Sequence, residues 1–288
     1  MDMTQSDRTG AEAGKPRLAL MGEFSAGKST LSNILLGGRA LPMRVTATRL
    51  PPVWVSYGPD RAVCVGQDGS ETEIAPDRLD QVDLDQTRMI RLQMEADALQ
   101  LCDLIDMPGI SDPNMSSGVW QALIDEVDSV VWCTHATQAW RQSEAATWDQ
   151  IVERTNGRNL LLISQIDKLA AGRDRARVLA RVRKETAGLF RGVYPVALLE
   201  ALNAGDDAGR WAESGAAAFI ETLVEMLMEP PAQAEAPVEE AEATEPAPEA
   251  TPAAAETGDR ILPKRVKANR ALPPRARLQP REKESLLF

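Results

Sequence analysis

Gly22-Glu23-Phe24-Ser25-Ala26-Gly27-Lys28-Ser29, continued by Thr30-Leu31-Ser32-Asn33-Ile34-Leu35-Leu36-Gly37, decides how the rest of the chain is read. The first eight residues satisfy G-x-x-x-x-G-K-[ST], the pattern of a phosphate-binding loop. The flanks suit it, because an apolar run over Leu18–Met21 reads as a strand and the residues after Lys28 carry a helical pattern. Each residue type has a chemical reason to be there. Glycines let the backbone turn its N–H groups onto a phosphate, Lys28 reaches the β- and γ-phosphates, and the Ser29 hydroxyl is placed to ligate Mg²⁺. Gly22 through Thr30 are therefore the candidate nucleotide-binding residues of this segment.

Composition bounds what can surround the loop. The 288 residues are 43% hydrophobic, enough for a well-buried core. No apolar run is long enough to cross a bilayer, and Met1–Lys15 lacks the apolar centre of a signal peptide. Cys64, Cys102 and Cys133 are far apart in apolar segments and read as buried core thiols, which suits a reducing cytoplasm. The net charge of −11 is uneven: residues 229–258 hold eight glutamates and no Lys or Arg, and residues 259–288 hold nine Lys/Arg against three acids. Residues 1–228 keep a net −9, which argues against a nucleic-acid partner.

Alternation of strand-like and helix-like segments predicts an α/β domain with a mainly parallel central sheet, and with the phosphate loop it reads as a three-layer P-loop NTPase fold. Strands are expected at Arg17–Met21, Pro52–Tyr57, Ala62–Val65, Met89–Met94, Leu101–Asp106, Ser129–Thr134, Leu160–Ser164 and Val193–Ala197. Helices are expected at Ser29–Leu36, Gly118–Asp125, Ser143–Arg154, Asp174–Leu189 and Ser214–Met228. The boundaries follow: a disordered start over 1–14, the folded domain over 15–228, an Ala/Glu/Pro linker over 229–258, and a basic, proline-punctuated disordered tail over 259–288.

Two further elements narrow the nucleotide. Leu104-Ile105-Asp106-Met107-Pro108-Gly109 is a D-x-P-G element at a strand end, where Asp106 would hold Mg²⁺ and the Gly109 N–H would meet the γ-phosphate. Ser164-Gln165-Ile166-Asp167-Lys168 stands where a GTPase carries [NT]-K-x-D. The Asp167 carboxylate can accept two hydrogen bonds from guanine that adenine does not offer, with Gln165 and Lys168 beside it. Ser164 and Gln165 depart from the usual Asn/Thr and Lys.

Taken together, Gly22–Gly37, Ala40-Leu41-Pro42, Val45-Thr46-Ala47-Thr48, the run Met89–Gly109, and Val127–Thr134 with Gln138 and Ser143-Glu144 resemble the bacterial dynamin-like GTPases. The resemblance covers roughly Lys15–Glu200. It implies GTP hydrolysis with Mg²⁺ held by Ser29, Thr48 and Asp106, and Thr48 fixing the attacking water, with Thr46 as its rival. It also implies that Ser25, Lys28 and Thr48 are the catalytic residues, Ser25 sharing transition-state charge with a monovalent cation such as K⁺ in some members. Phe24 replaces the Gln of eukaryotic dynamins. The implied partners are a GTP-dependent homodimer or a larger dynamin-like protein, at or near a membrane.

The helical pattern stops near Met228, so the expectation is a GTPase domain without the family's stalk and without autonomous fission. The tail over 259–288 would contact anionic lipid or a protein, placing the chain in the cytoplasm or peripherally at the inner membrane. Two alternatives stay open: a slow or non-catalytic GTPase-like partner subunit, and an ATP-using phosphate-loop enzyme. Val196-Ala197-Leu198 stands where the fifth nucleotide motif belongs but lacks its Ser.

Overall fold

The computed structural model describes residues 14–38, 51–75, 78–79, 82–83, 85–110, 121 and 123–230. Its strands are β1 (Arg17–Gly22), β2 (Val53–Tyr57), β3 (Arg61–Gly66), β4 (Glu71–Glu73), β5 (Thr87–Met94), β6 (Asp103–Asp106), β7 (Ser129–His135), β8 (Leu160–Ser164) and β9 (Gly192–Pro195). They form one sheet in the order β4-β3-β5-β2-β6-β1-β7-β8-β9. From β6 to β9 every pairing is parallel. β2 runs antiparallel to β6 and parallel to β5, and a β3–β4 hairpin closes that edge antiparallel.

Helices cover both faces: α1 (Lys28–Leu35), α2 (Ala98–Leu101), α3 (Gln142–Ile151), α4 (Gly172–Glu185), α5 (Leu198–Leu202), α6 (Ala208–Glu213) and α7 (Ala216–Met228). The central strands are continuous apolar runs because both of their faces are covered. Alternate residues feed two separate cores. Leu18 and Leu20 of β1, Val131 and Cys133 of β7, and Leu160 and Leu162 of β8 pack with Phe219, Leu223 and Met226 of α7. Ala19 and Met21, Val130 and Trp132, and Leu161 and Ile163 pack on the other face with Trp148 and Ile151 of α3 and Val182 of α4. This is the three-layer α/β arrangement.

All eight expected strands are present. The ninth, β4, has the sequence Glu-Thr-Glu with every residue exposed, so no hydrophobic alternation announces it. It is a charged edge strand, held by the ion pairs Arg91–Glu71 at 2.7 Å and Arg61–Glu73 at 3.3 Å. The expected strand beginning at Leu101 starts instead at Asp103, because residues 98–101 close a turn of helix first. Helix α4 ends at Glu185, short of the expected Leu189. The short helices α2, α5 and α6 carry too few turns for a periodic signal. Of the helix expected over 118–125, residues 118–120 and 122 lie outside the described residues, as do 1–13 and the linker and tail from 231 onward.

The aromatic residues of the second core form one cluster. Trp148 is fully buried, with its ring 4.3 Å from Phe190 and 5.7 Å from Trp132, and Trp140 lies 6.1 Å from Trp132. Trp140 is 7% exposed, so it belongs to this core. Truncating Trp148 to Ala would leave a large void between α3, Trp132 of β7 and Phe190. We expect a loss of about 3–5 kcal/mol in unfolding free energy from denaturant titration; a loss below about 1 kcal/mol would contradict this packing.

Candidate functional site

Parallel register brings the ends of five strands to one edge. Leu20 pairs with Asp106, Gly22 with Cys133, His135 with Ser164, and Ile163 with Pro195. Loops leaving these positions meet in the crevice where open α/β sheets take their ligands.

The phosphate loop leaves β1 through Gly22, whose φ is 135°; a Cβ there would lie 2.0 Å from the Cys133 carbonyl oxygen. Only glycine fits that turn. Ser25 (φ 59°) and Gly27 (φ 95°) then carry the chain through left-handed conformations into α1. The Leu31 N–H closes the first helical turn on the Gly27 carbonyl at 2.9 Å. The first turn of α1 contains no acidic residue, so its free N–H groups present positive potential to the crevice.

Lys28 is buried, and its ammonium donates to the carbonyls of Gly22 (3.1 Å) and Glu23 (2.8 Å). Burial pulls its pKa below the ordinary lysine value, against the opposing charge of Asp106. Asp106 is buried as well. Burial pushes its carboxyl up to about 6, with the Lys28 charge opposing. The D-x-P-G segment is tied to the phosphate loop by two backbone bonds, Met107 N–H to Leu20 at 3.1 Å and Ile110 N–H to Gly22 at 3.2 Å. Gly109 packs so closely that a Cβ would lie 2.9 Å from the Phe24 nitrogen. Phe24 itself is 65% exposed.

A cleft of about 240 Å³ opens from the loop. Ser25 through Thr30 line it together with Ser164, Gln165, Asp167, Lys168, Leu198 and Leu199. The two motifs are bonded directly, since the Gln165 side-chain amide donates to the Ser25 carbonyl at 3.0 Å. Gln165 is also left-handed, with φ 55°. Two of the three non-glycine residues with positive φ among the described residues, Ser25 and Gln165, thus sit on this cleft. Ser164 is fully buried and donates to the Thr134 carbonyl at 3.3 Å, which occupies the hydroxyl that replaces the usual Asn/Thr.

Of the candidate residues, Ser25–Thr30, Gln165, Asp167 and Lys168 meet in the cleft itself. Gly22, Glu23, Phe24, Asp106 and Gly109 are not part of its lining. Glu23 turns its carboxylate to the Ser143 hydroxyl, 2.9 Å away. Thr46 and Thr48 lie outside the described residues, as does 111–117, the far part of the loop after Gly109. Leu198 and Leu199 are site residues that only the position of the fifth motif hinted at; leucine carries no polar signal by which sequence alone would place it there. His135, at the end of β7, is bonded to the Thr137 hydroxyl at 2.9 Å and takes no place in the cleft lining.

Asp106 makes a stability test with a definite sign. Its folded pKa, about 6, lies above the ordinary carboxylate value of 3.8, so the folded state binds the extra proton and stability falls as pH rises through that window. At neutral pH the buried charge is a net cost, partly offset by Lys28. Asp106→Asn should raise the unfolding free energy of the free protein by about 1 kcal/mol at pH 7.5. The gain should shrink as pH falls through 6 and vanish by about pH 4. A destabilised variant at pH 7.5, or a gain that does not change with pH, would contradict the assignment.

The sequence profile of the dynamin family matches residues 18–166. Among curated proteins, Dynamin-like protein 2 of Campylobacter jejuni is 24% identical over 163 residues, 54% of this chain and 26% of that protein. Isoniazid-induced protein IniC of Mycobacterium tuberculosis is 30% identical over 228 residues, 69% of this chain and 46% of that protein. The chain thus spans about a quarter and about half of these relatives. Among solved structures, an oligomerised bacterial dynamin pair, described as sensing and tethering membranes over long range, superposes with a TM-score of 0.53. Its identity is 18%, and the match covers 74% of this chain and 35% of that one. With the phosphate loop, the D-x-P-G turn and Asp167 on one sheet edge, this chain belongs to the dynamin family and carries its GTPase domain.

Proposed function

We propose that the domain binds GTP with Mg²⁺ and hydrolyses its γ-phosphate by in-line attack of water. One observation carries this reading: a single cleft is lined both by the phosphate loop and by Asp167, a carboxylate that suits guanine. The donor set fits a hard cation. Ser29 offers a hydroxyl oxygen, and Asp106 a buried carboxylate whose ionised form lacks full compensation and gains from a positive neighbour. Mg²⁺ commonly takes one or two protein oxygens with phosphates and water, and among the described residues there is no cluster of three His, Cys, Asp or Glu that would favour another metal. When bound, Mg²⁺ neutralises charge on the β- and γ-phosphates.

The chain's own residues do the rest. Lys28 turns its ammonium from two backbone carbonyls to phosphate oxygens, exchanging neutral acceptors for charged ones. N–H groups of Gly27 to Thr30 hold the phosphates, and the Gly109 N–H meets the γ-phosphate. Ser25 would share the developing charge, beside K⁺ if that ion is bound. Thr48 would offer its hydroxyl to Mg²⁺ and orient the water. Phe24, where eukaryotic dynamins carry Gln, offers no polar atom for that water. This favours a second reading in which turnover is slow until a homodimer or larger dynamin-like partner supplies the group. The description of the solved bacterial dynamin pair as sensing and tethering membranes supports action at a membrane, with the segment 259–288 as a contact for anionic lipid or protein. Among the described residues, no helix is long and apolar enough to cross a membrane.

Lys28→Ala should weaken GTP binding by at least about a hundredfold, measured by equilibrium titration with Mg²⁺ present. Asp167→Ala should instead erase the preference for GTP over ATP while triphosphate binding survives, because a pocket built to accept guanine N–H groups loses its discrimination with that acceptor. Tight GTP binding by Lys28→Ala, or undiminished GTP preference in Asp167→Ala, would sink this reading.

A further inference from the structure

Glu23 is an odd residue for a loop that holds phosphates, since a carboxylate there repels the ligand. It is only 8% exposed, and its backbone carbonyl already accepts from Lys28 at 2.8 Å and from the Ala26 N–H at 3.2 Å. Its carboxylate reaches a residue 120 positions away: the Ser143 hydroxyl, in the first turn of α3, donates to it at 2.9 Å. The start of a ten-residue helix is a favourable place for a negative charge.

Ser143 is presented from a stiff support. The neighbouring Glu144 is buried, and its carboxylate accepts from the Trp132 indole (3.0 Å), the Thr134 hydroxyl (3.0 Å) and the Arg141 N–H (2.9 Å). The same Thr134 hydroxyl accepts from the N–H of Trp140, which is held at φ 55°. Trp132 and Thr134 belong to β7, next to β1 in the sheet. The position of Ser143 is therefore fixed by the sheet and not by the loop.

We infer that Glu23 is a positioning residue, clasped by Ser143 so that its carboxylate faces α3 instead of the phosphates and its carbonyl stays where Lys28 docks. The clasp ties the phosphate loop to the loop 136–141 and α3 through one side-chain bond. Its value for nucleotide binding rests on the GTP reading above; its geometry does not. Cutting the Ser143 side releases a carboxylate beside an anion-binding loop. The penalty then comes from the freed charge, and removing that charge relieves it.

The test uses the full chain and two measurements. In GTP titrations, Ser143→Ala should weaken binding about tenfold, Ser143→Thr should keep wild-type affinity, and Glu23→Gln combined with Ser143→Ala should recover most of the loss. A purely structural role for Ser143 predicts a double variant no better than Ser143→Ala, and that result would overturn the inference. In the nucleotide-free protein, amide hydrogen exchange over residues 22–30 should quicken in Ser143→Ala and not in Ser143→Thr; unchanged exchange would overturn the clasp itself. Failure of the wild-type chain to bind GTP would remove the proposed function, while the exchange measurement would still decide the clasp.

Discussion

Lys28 is 8% exposed, and an ammonium group taken out of water needs oxygen atoms around it to offset a desolvation cost of several kcal/mol. The carbonyls of Gly22 and Glu23 provide two, and the buried Asp106 carboxylate provides the opposing charge. All three are where they are because β1 lies between β6 and β7, parallel to both and in register. An arriving polyphosphate offers Lys28 stronger acceptors than the carbonyls it holds, so the arrangement that satisfies the ammonium in the free protein is also ready to receive a ligand.

Charge is balanced in layers around this centre. Asp106 answers Lys28, Glu23 answers the start of α3 through Ser143, and Glu144 answers three N–H and O–H donors from β7 and the α3 entry. None of these carboxylates faces the cleft lining directly, where Ser29, Thr30, Asp167 and Lys168 stand. The left-handed turns at Ser25 and Gln165 join the phosphate loop to the segment that carries Asp167. The Gln165 amide makes a neutral bridge to the Ser25 carbonyl.

Much of this was legible in the residues. G-x-x-x-x-G-K-[ST] fixes the conformation of its loop, because Gly22 and Gly27 occupy positions where a Cβ would strike Cys133 or Leu198, so Gly22–Thr30 could be placed before any coordinates. The eight apolar strands announced themselves since each must be covered on one face or both. β4 did not, because a solvent-facing edge strand of Glu-Thr-Glu has no apolar pattern to show. The partners of Trp140 were hidden for a related reason: sequence gives its neighbours along the chain, Arg141 and Gln142, but not Trp132 and Phe190, which bury it. The Glu23–Ser143 bond and the Leu198–Leu199 wall join segments more than a hundred residues apart, and only the sheet order brings them together.

The central claim is that one cleft reads both the triphosphate and the guanine base. Titration of the wild-type chain with GTP and ATP in Mg²⁺ and K⁺, with phosphate release followed in the same samples, tests it most directly. The account predicts GTP binding at least about tenfold tighter than ATP binding, with release from GTP alone. Equal affinity for the two nucleotides, or preference for ATP, would contradict it and make Ser164-Gln165 the mark of a different enzyme.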